Sequence, residues 1–135
     1  MLTKKESYNV AVVGATGIVG ESLLEILYSR RFPISSIHAV ASKKSKGSKA
    51  KFGDQLLTVE SLDEFNFTDI DIAFFSAGSS VSKEYATKAT TQGCIVIDNT
   101  SEFRYEQDIP LVVPEVNPQD IDLYKHKNII ANPNC

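Results

Sequence analysis

At 135 residues the chain suits one domain with a real core, and 42% hydrophobic with 23% charged residues excludes the disordered class. A formal charge of -3 argues against a general nucleic-acid binder, no stretch approaches the length of a membrane span, and residues 1–9 lack the apolar run of a secretory signal. Two cysteines, Cys94 and Cys135, make no disulfide framework, so a cytoplasmic address is the expectation and no metal site is expected.

The first predicted element is a buried strand, Tyr8-Asn9-Val10-Ala11-Val12-Val13. It runs into Gly14-Ala15-Thr16-Gly17-Ile18-Val19-Gly20, after which Val19, Leu23, Ile26 and Leu27 recur at helical spacing with Leu24 broadening the stripe. Strand, glycine turn and helix form the phosphate-binding start of a Rossmann unit, where missing side chains let backbone amides and a helix N-terminus approach a pyrophosphate. The spacing is G-x-x-G-x-x-G, and the plain alternative is a tight strand-to-helix turn with no ligand. Arg30 and Arg31 suit the helix end and Pro33 closes it.

Ser36–Ala41 reads as a second strand, with His38 an ordinary strand residue. In dinucleotide sites that prefer NAD, an Asp or Glu about 20 residues past the glycines receives the ribose 2′-OH. Here Ser42-Lys43-Lys44-Ser45-Lys46-Gly47-Ser48-Lys49 follows, and no carboxylate appears until Asp54. Hydroxyls and ammonium groups suit a 2′-phosphate, so NADP is the expected cofactor. A merely solvated lysine loop is the alternative.

An irregular strand is expected around Leu56–Val59 and a helical turn at Ser61–Glu64. Asp71–Phe75 is a buried strand ending in Ser76-Ala77-Gly78-Ser79, small residues that leave room for a ligand. Val81–Gln92 reads as a helix with Val81, Tyr85 and Ala89 on one side and Gly93 as its cap. Cys94–Ile97 is the next strand, with Cys94 an inert core thiol, and it runs out into Asp98-Asn99-Thr100-Ser101-Glu102-Phe103-Arg104. Those polar groups suit either a ligand crevice or an Asx-capped turn. Leu111–Val116 is expected to be extended, Asn117-Pro118 to open a short helix reaching about His126, and Asn128–Ala131 to be the last strand. The alternation predicts an α/β, doubly wound, largely parallel sheet.

Six pieces in order carry a resemblance: Gly14–Gly20, Ala41-Ser42 with Ser45 and Gly47, Phe75-Ser76-Ala77-Gly78, Asp98–Ser101 through Phe103-Arg104, Val113–Asn117, and Asn132-Pro133-Asn134-Cys135. Across essentially all 135 residues the chain resembles the N-terminal part of the aspartate-β-semialdehyde dehydrogenases. The resemblance implies that residues 1–135 are an NADP-binding Rossmann-like domain, lacking the family's closing helix and its catalytic and dimerisation domain. It implies a cytoplasmic enzyme, a homodimer or homotetramer when complete, with no nucleic-acid or membrane partner. Its reaction would interconvert L-aspartyl-4-phosphate and aspartate semialdehyde, on the route to lysine, methionine and threonine.

By the same resemblance Cys135 is the nucleophile, and Arg104 and Asn134 hold phosphate. The cofactor-binding positions would be Gly14, Thr16, Gly17, Ile18, Val19, Gly20, Ser42, Lys44, Ser45, Ser76, Ala77, Gly78 and Asn99. Two departures stand out: Lys43-Lys44 replace a neutral residue and an arginine, and Glu102 replaces a small residue. The family's acid/base histidine and carboxylate-binding arginine follow the nucleophile, so the 135 residues alone are expected to be inactive, to bind NADP weakly and to expose an apolar face. N-acetyl-glutamyl-phosphate reductase is the nearest rival, disfavoured by Asn134 where it has glycine. A non-catalytic NADP-binding module is the other, disfavoured by Cys135.

Overall fold

The computed structural model describes residues 2–133. Six strands form one parallel sheet in the order β5-β2-β1-β6-β7-β8: β1 Tyr8–Val13, β2 Ile34–Ala41, β5 Glu60–Ser61, β6 Ile72–Phe75, β7 Ile95–Asp98 and β8 Ile129–Ala131. The central strand reads VAVV without alternation because both its faces are covered, and Val10 to Val13 are all fully buried. Val10 and Val12 pack with Leu24 and Leu27 of α1 (Ile18–Ser29), while Ala11 and Val13 pack with Phe75, Ala86 and Ala89 on the side of α2 (Ser79–Thr91). The chain therefore leaves β1 to one side and β6 to the other, and the sheet is Rossmann-like and doubly wound.

Each helix buries only part of the apolar face its sequence suggests, Leu24 and Leu27 in the first and Ala89 in the second. In α1 the buried line is Gly20, Leu24 and Leu27, whereas Ile26 is 48% exposed. Gly20 lies against the Gly14 backbone, which sets the rotation of the helix and leaves Ile26 about 120° off the contact line. In α2 the buried residues are Ser82, Ala86 and Ala89, with Val81 and Tyr85 only half-buried. Small side chains let this helix sit close to the sheet, and Asp98 satisfies the Ser82 hydroxyl at 2.6 Å.

Three loop regions differ from expectation. The irregular strand is one arm of an antiparallel hairpin, β3 (Lys49–Phe52) and β4 (Gln55–Thr58), turning at Gly53 with φ of +62°. It lies over α1, where Tyr28 and Phe52 meet edge-to-face at 5.3 Å. The extended run from Leu111 stops at Val113, because Pro114 opens a turn closed by Val116 N–H to Val113 O at 2.8 Å. Asn117 reaches backward, accepting from Val113 N–H at 2.7 Å and donating to Leu111 O at 2.8 Å. With its side chain so engaged it gives no helix cap, and Pro118–His126 forms 3-10 turns. On the α1 side, Phe74 and Ile97 of β6 and β7 remain half-buried.

Candidate functional site

The strand order reverses between β1 and its neighbours β2 and β6, and the crevice of a doubly wound sheet opens at the carboxyl ends of such strands. There β1 runs into Gly14, whose φ of +93° suits glycine alone and whose N–H bonds Val40 O at 2.8 Å. A Cβ on Gly14 would stand 2.8 Å from the Ser76 carbonyl carbon, and one on Gly20 would stand 2.0 Å from Gly14 O. The outer glycines are thus required by the chain's own packing. Gly17 differs: its φ is -83°, it is exposed, and a Cβ there would meet only Gly14 O at 3.5 Å. Nothing in the fold demands glycine at 17.

Gly17 is also the N-cap of α1, without a side-chain cap bond, and its carbonyl receives Glu21 N–H at 2.9 Å. Among the described residues the N–H groups of Ile18, Val19 and Gly20 have no acceptor. Free amides, a helix N-terminus and an open side at Gly17 fit a bound diphosphate. Beside them lies a cleft of about 500 Å³ lined by Val13, Gly14, Thr16, Gly17, Ala41, Ser42, Lys43, Leu62, Asp63, Ser76, Ala77, Val81 and Tyr85. Ile18, at 86% exposure, stands at the start of α1 just outside that lining.

The Ser/Lys loop is arranged more selectively than its composition suggests. Ser42 and Lys43 line the cleft, whereas Lys44 and Ser45 do not. Ser45 takes part in the turn through its backbone, its carbonyl taking the Ser48 hydroxyl at 2.6 Å. Lys46 pairs with Glu64 at 2.8 Å, and Lys49 donates to the Thr58 hydroxyl at 2.6 Å. Asp63 enters the cleft from the loop after β5, a position that strand-by-strand reading could not supply. The Ser61 hydroxyl bonds its carboxylate, and with Lys43 nearby this holds its pKa below the usual aspartate value.

On the other side of the crevice, Ser76 is tied to β1 by its N–H (2.9 Å) and its hydroxyl (3.2 Å), both donating to Val13 O. Gly78, with φ of +99°, is the N-cap of α2. Asp98, fully buried at the end of β7, accepts from the Ser82 hydroxyl at 2.6 Å and the Thr100 hydroxyl at 2.7 Å. The sequence shows Asp98 only as one of a polar run; its burial singles it out. Asn99 N–H bonds Phe75 O at 2.8 Å.

Arg104 is clamped by two backbone carbonyls, Nε donating to Asn132 O at 2.9 Å and a terminal nitrogen donating to Asn99 O at 3.2 Å. The rest of its guanidinium keeps donors for an anion. Among the described residues Glu102 makes no ion pair with it, so the two charges do not cancel by contact. The predicted Asn134 and Cys135 lie outside the described residues. Cys94 is fully buried and burial pushes its pKa up to about 12, which suits an inert core thiol. His38 is held by Glu60 at 2.7 Å, and His126 ends the 3-10 segment that leads into β8 from the amino edge of the sheet. Neither histidine lines the cleft. No helix among the described residues is long and apolar enough to cross a membrane.

Comparison with known proteins agrees with this geometry. The profile described as "Semialdehyde dehydrogenase, NAD binding domain" matches residues 9–124. An aspartate-semialdehyde dehydrogenase of Rickettsia typhi is 56% identical over 134 residues, 99% of this chain and 39% of its own length. The crystal structure of aspartate semialdehyde dehydrogenase II of Vibrio cholerae, complexed with ASA, superposes with a TM-score of 0.93 at 49% identity, over 96% of this chain and 42% of its own. The enzyme of Candida albicans, solved with NADP, gives 0.76 at 29% identity, over 95% of this chain and 43% of its own. The chain thus spans about two fifths of the length of these relatives, and their remaining length, including any second domain, has no counterpart in these 135 residues. From the profile match, the shared sequence and the glycine-lined crevice at the switch point, the chain belongs to the semialdehyde dehydrogenase family and comprises its NAD-binding domain.

Proposed function

We propose that these residues are the NADP-binding part of an aspartate-semialdehyde dehydrogenase that reductively dephosphorylates L-aspartyl-4-phosphate to aspartate semialdehyde in the supply of lysine, methionine and threonine. The observation that carries the reading is the open Gly17 beside unpaired amides, with the Arg104 clamp at the far end of the same edge. Gly14, Thr16, Gly17 and the first α1 amides would hold the diphosphate, with Ile18, Val19 and Gly20 supplying the free N–H groups. Ser42 and Lys43 would take the 2′-phosphate side, with Lys44 and Ser45 shaping the loop, and Ser76, Ala77, Gly78 and Asn99 would border the nicotinamide side. When bound, the reduced dinucleotide supplies a hydride. Support for NADP over NAD comes from Ser42 and Lys43 in the cleft and from the NADP that the Candida relative binds.

In this reading the Cys135 thiolate attacks the acyl phosphate and phosphate leaves, giving a thioester. Arg104 and Asn134 grip the departing phosphate, which a clamped planar guanidinium can do through parallel hydrogen bonds. The 135 residues alone are proposed to be inactive, since neither histidine lies at the cleft. The half-buried Phe74 and Ile97 are proposed to be covered by a segment of the complete, cytoplasmic homo-oligomer. The test is phosphate-dependent reduction of NADP by the full-length protein with aspartate semialdehyde. Activity should vanish in Cys135→Ala, and turnover of the N-acetyl-glutamyl substrate instead, or unchanged activity in the variant, would overturn the reading.

A further inference from the structure

The stretch from the end of β2 to the start of β3 carries four lysines, Lys43, Lys44, Lys46 and Lys49, yet the fold brings only Lys43 of these to the cleft. Lys46 is drawn to Glu64, Lys49 to Thr58, and Lys44 stands exposed off the lining. Against that one ammonium the fold sets one carboxylate, Asp63, which lines the same cleft with Ser42 and Lys43. Its partner Ser61 is buried and bonds one carboxylate oxygen, while the Asp63 residue itself is exposed at the cleft. The carboxylate is ionised at neutral pH, since hydrogen bonding and nearby lysines both favour the charged form.

We propose that Asp63 is a specificity-determining residue for the cofactor, a carboxylate that opposes the 2′-phosphate of NADP and accepts a hydrogen bond from the 2′-OH of NAD. The acid that NAD-preferring sites carry at the end of the second strand is here delivered from the loop after β5, so the linear reading of Ser42–Lys49 overstates the preference for NADP. Lys43 pulls toward the phosphorylated cofactor and Asp63 pulls away, leaving a site that admits both dinucleotides. This inference rests on the dinucleotide reading above.

The experiment is calorimetric titration of the full-length protein with NADP and with NAD, comparing wild type, Asp63→Asn and Lys43→Gln. The two ligands differ only at the 2′ position, so each serves as the folding control for the other. Asp63 is exposed, and its amide variant keeps the shape. A charge facing a phosphate across a solvated cleft gives about a tenfold effect, so Asp63→Asn should raise the NADP:NAD affinity ratio roughly tenfold, and Lys43→Gln should lower it comparably. Both shifts should shrink in high salt. A wild type that binds both cofactors, with an unchanged ratio in Asp63→Asn, would overturn this inference alone. A wild type that binds neither would overturn the dinucleotide reading and this inference with it.

Discussion

Replacing the second and third glycines of the turn by alanine should separate ligand binding from folding. At Gly20 the added Cβ lands 2.0 Å from Gly14 O, 2.7 Å from Gly14 C and 2.8 Å from Ala15 Cα, all backbone atoms that cannot swing aside. Helix and turn must part, an overpacking cost of up to about 3 kcal/mol or somewhat more, against roughly 1 kcal/mol regained because alanine is the better helix former. A net loss near 2 kcal/mol corresponds to a fall in Tm of roughly 6–10 °C for a domain of this size. At Gly17 the backbone is already in a region open to alanine and the Cβ has 3.5 Å to Gly14 O. Alanine is a poorer N-cap than glycine, so stability falls by about 1 kcal/mol or less. On the proposed reading, however, the methyl group would occupy the side from which the diphosphate meets the amides, and weakening one or two charge-assisted hydrogen bonds costs about 1.5–3 kcal/mol, a tenfold or greater rise in the NADP Kd. Thermal unfolding followed by circular dichroism, with NADP titration of each variant, reads both effects. Unaltered NADP affinity in Gly17→Ala, or an unaltered Tm in Gly20→Ala, would refute the division of labour between the glycines.

Asp98→Ala should cost about 2–3 kcal/mol, because it leaves the Ser82 and Thr100 hydroxyls without their buried acceptor, and chemical denaturation measures it. The same variant should raise the KM for phosphate in the full-length protein, since Asp98 anchors the loop whose Asn99 carbonyl holds Arg104. Burial raises the pKa of Asp71, but the Lys5 ammonium at 2.6 Å and the Asn9 N–H at 2.8 Å outweigh it, and the net pKa lies below the ordinary 3.8. A depressed folded-state pKa gives stability that is present above 3.8 and lost as pH falls through the folded value. Asp71→Asn should therefore be less stable than wild type at neutral pH, with the gap closing below pH 3.8, as denaturant midpoints across pH will show. Cys94, buried and with its pKa pushed up to about 12, should resist thiol reagents at pH 8 until the domain unfolds, which quantitative thiol labelling with and without denaturant checks.

The strands and helices were legible because each leaves a periodic trace: an unbroken apolar run where both sheet faces are covered, a helical repeat where one is. Gly14 and Gly20 were legible as a turn, though not the reason for each, since Gly20 is constrained by how the turn folds back on Gly14 and Gly14 by Ser76 from a distant strand end. The hairpin was obscured by Leu56, an apolar residue that is 64% exposed and blurs the alternation. The 3-10 segment was hidden because Asn117 reads as a simple helix cap, whereas its side chain bonds back to Val113 and Leu111 and forward only to the Asp120 carboxylate, capping no backbone N–H of the segment.

The chain's order alone determined the alternation of elements, the glycine turn and the family to which the domain belongs, because those depend on residues near one another in sequence. Only the tertiary structure decided which charges meet. Lys43 reaches the cleft while Lys44 does not, Asp63 arrives from the loop after the edge strand, Asp98 is buried under two hydroxyls, and Arg104 is gripped by carbonyls of residues 99 and 132. The physical reason is that electrostatics acts through space, and parallel strands bring their carboxyl ends to one edge whatever length of chain separates them.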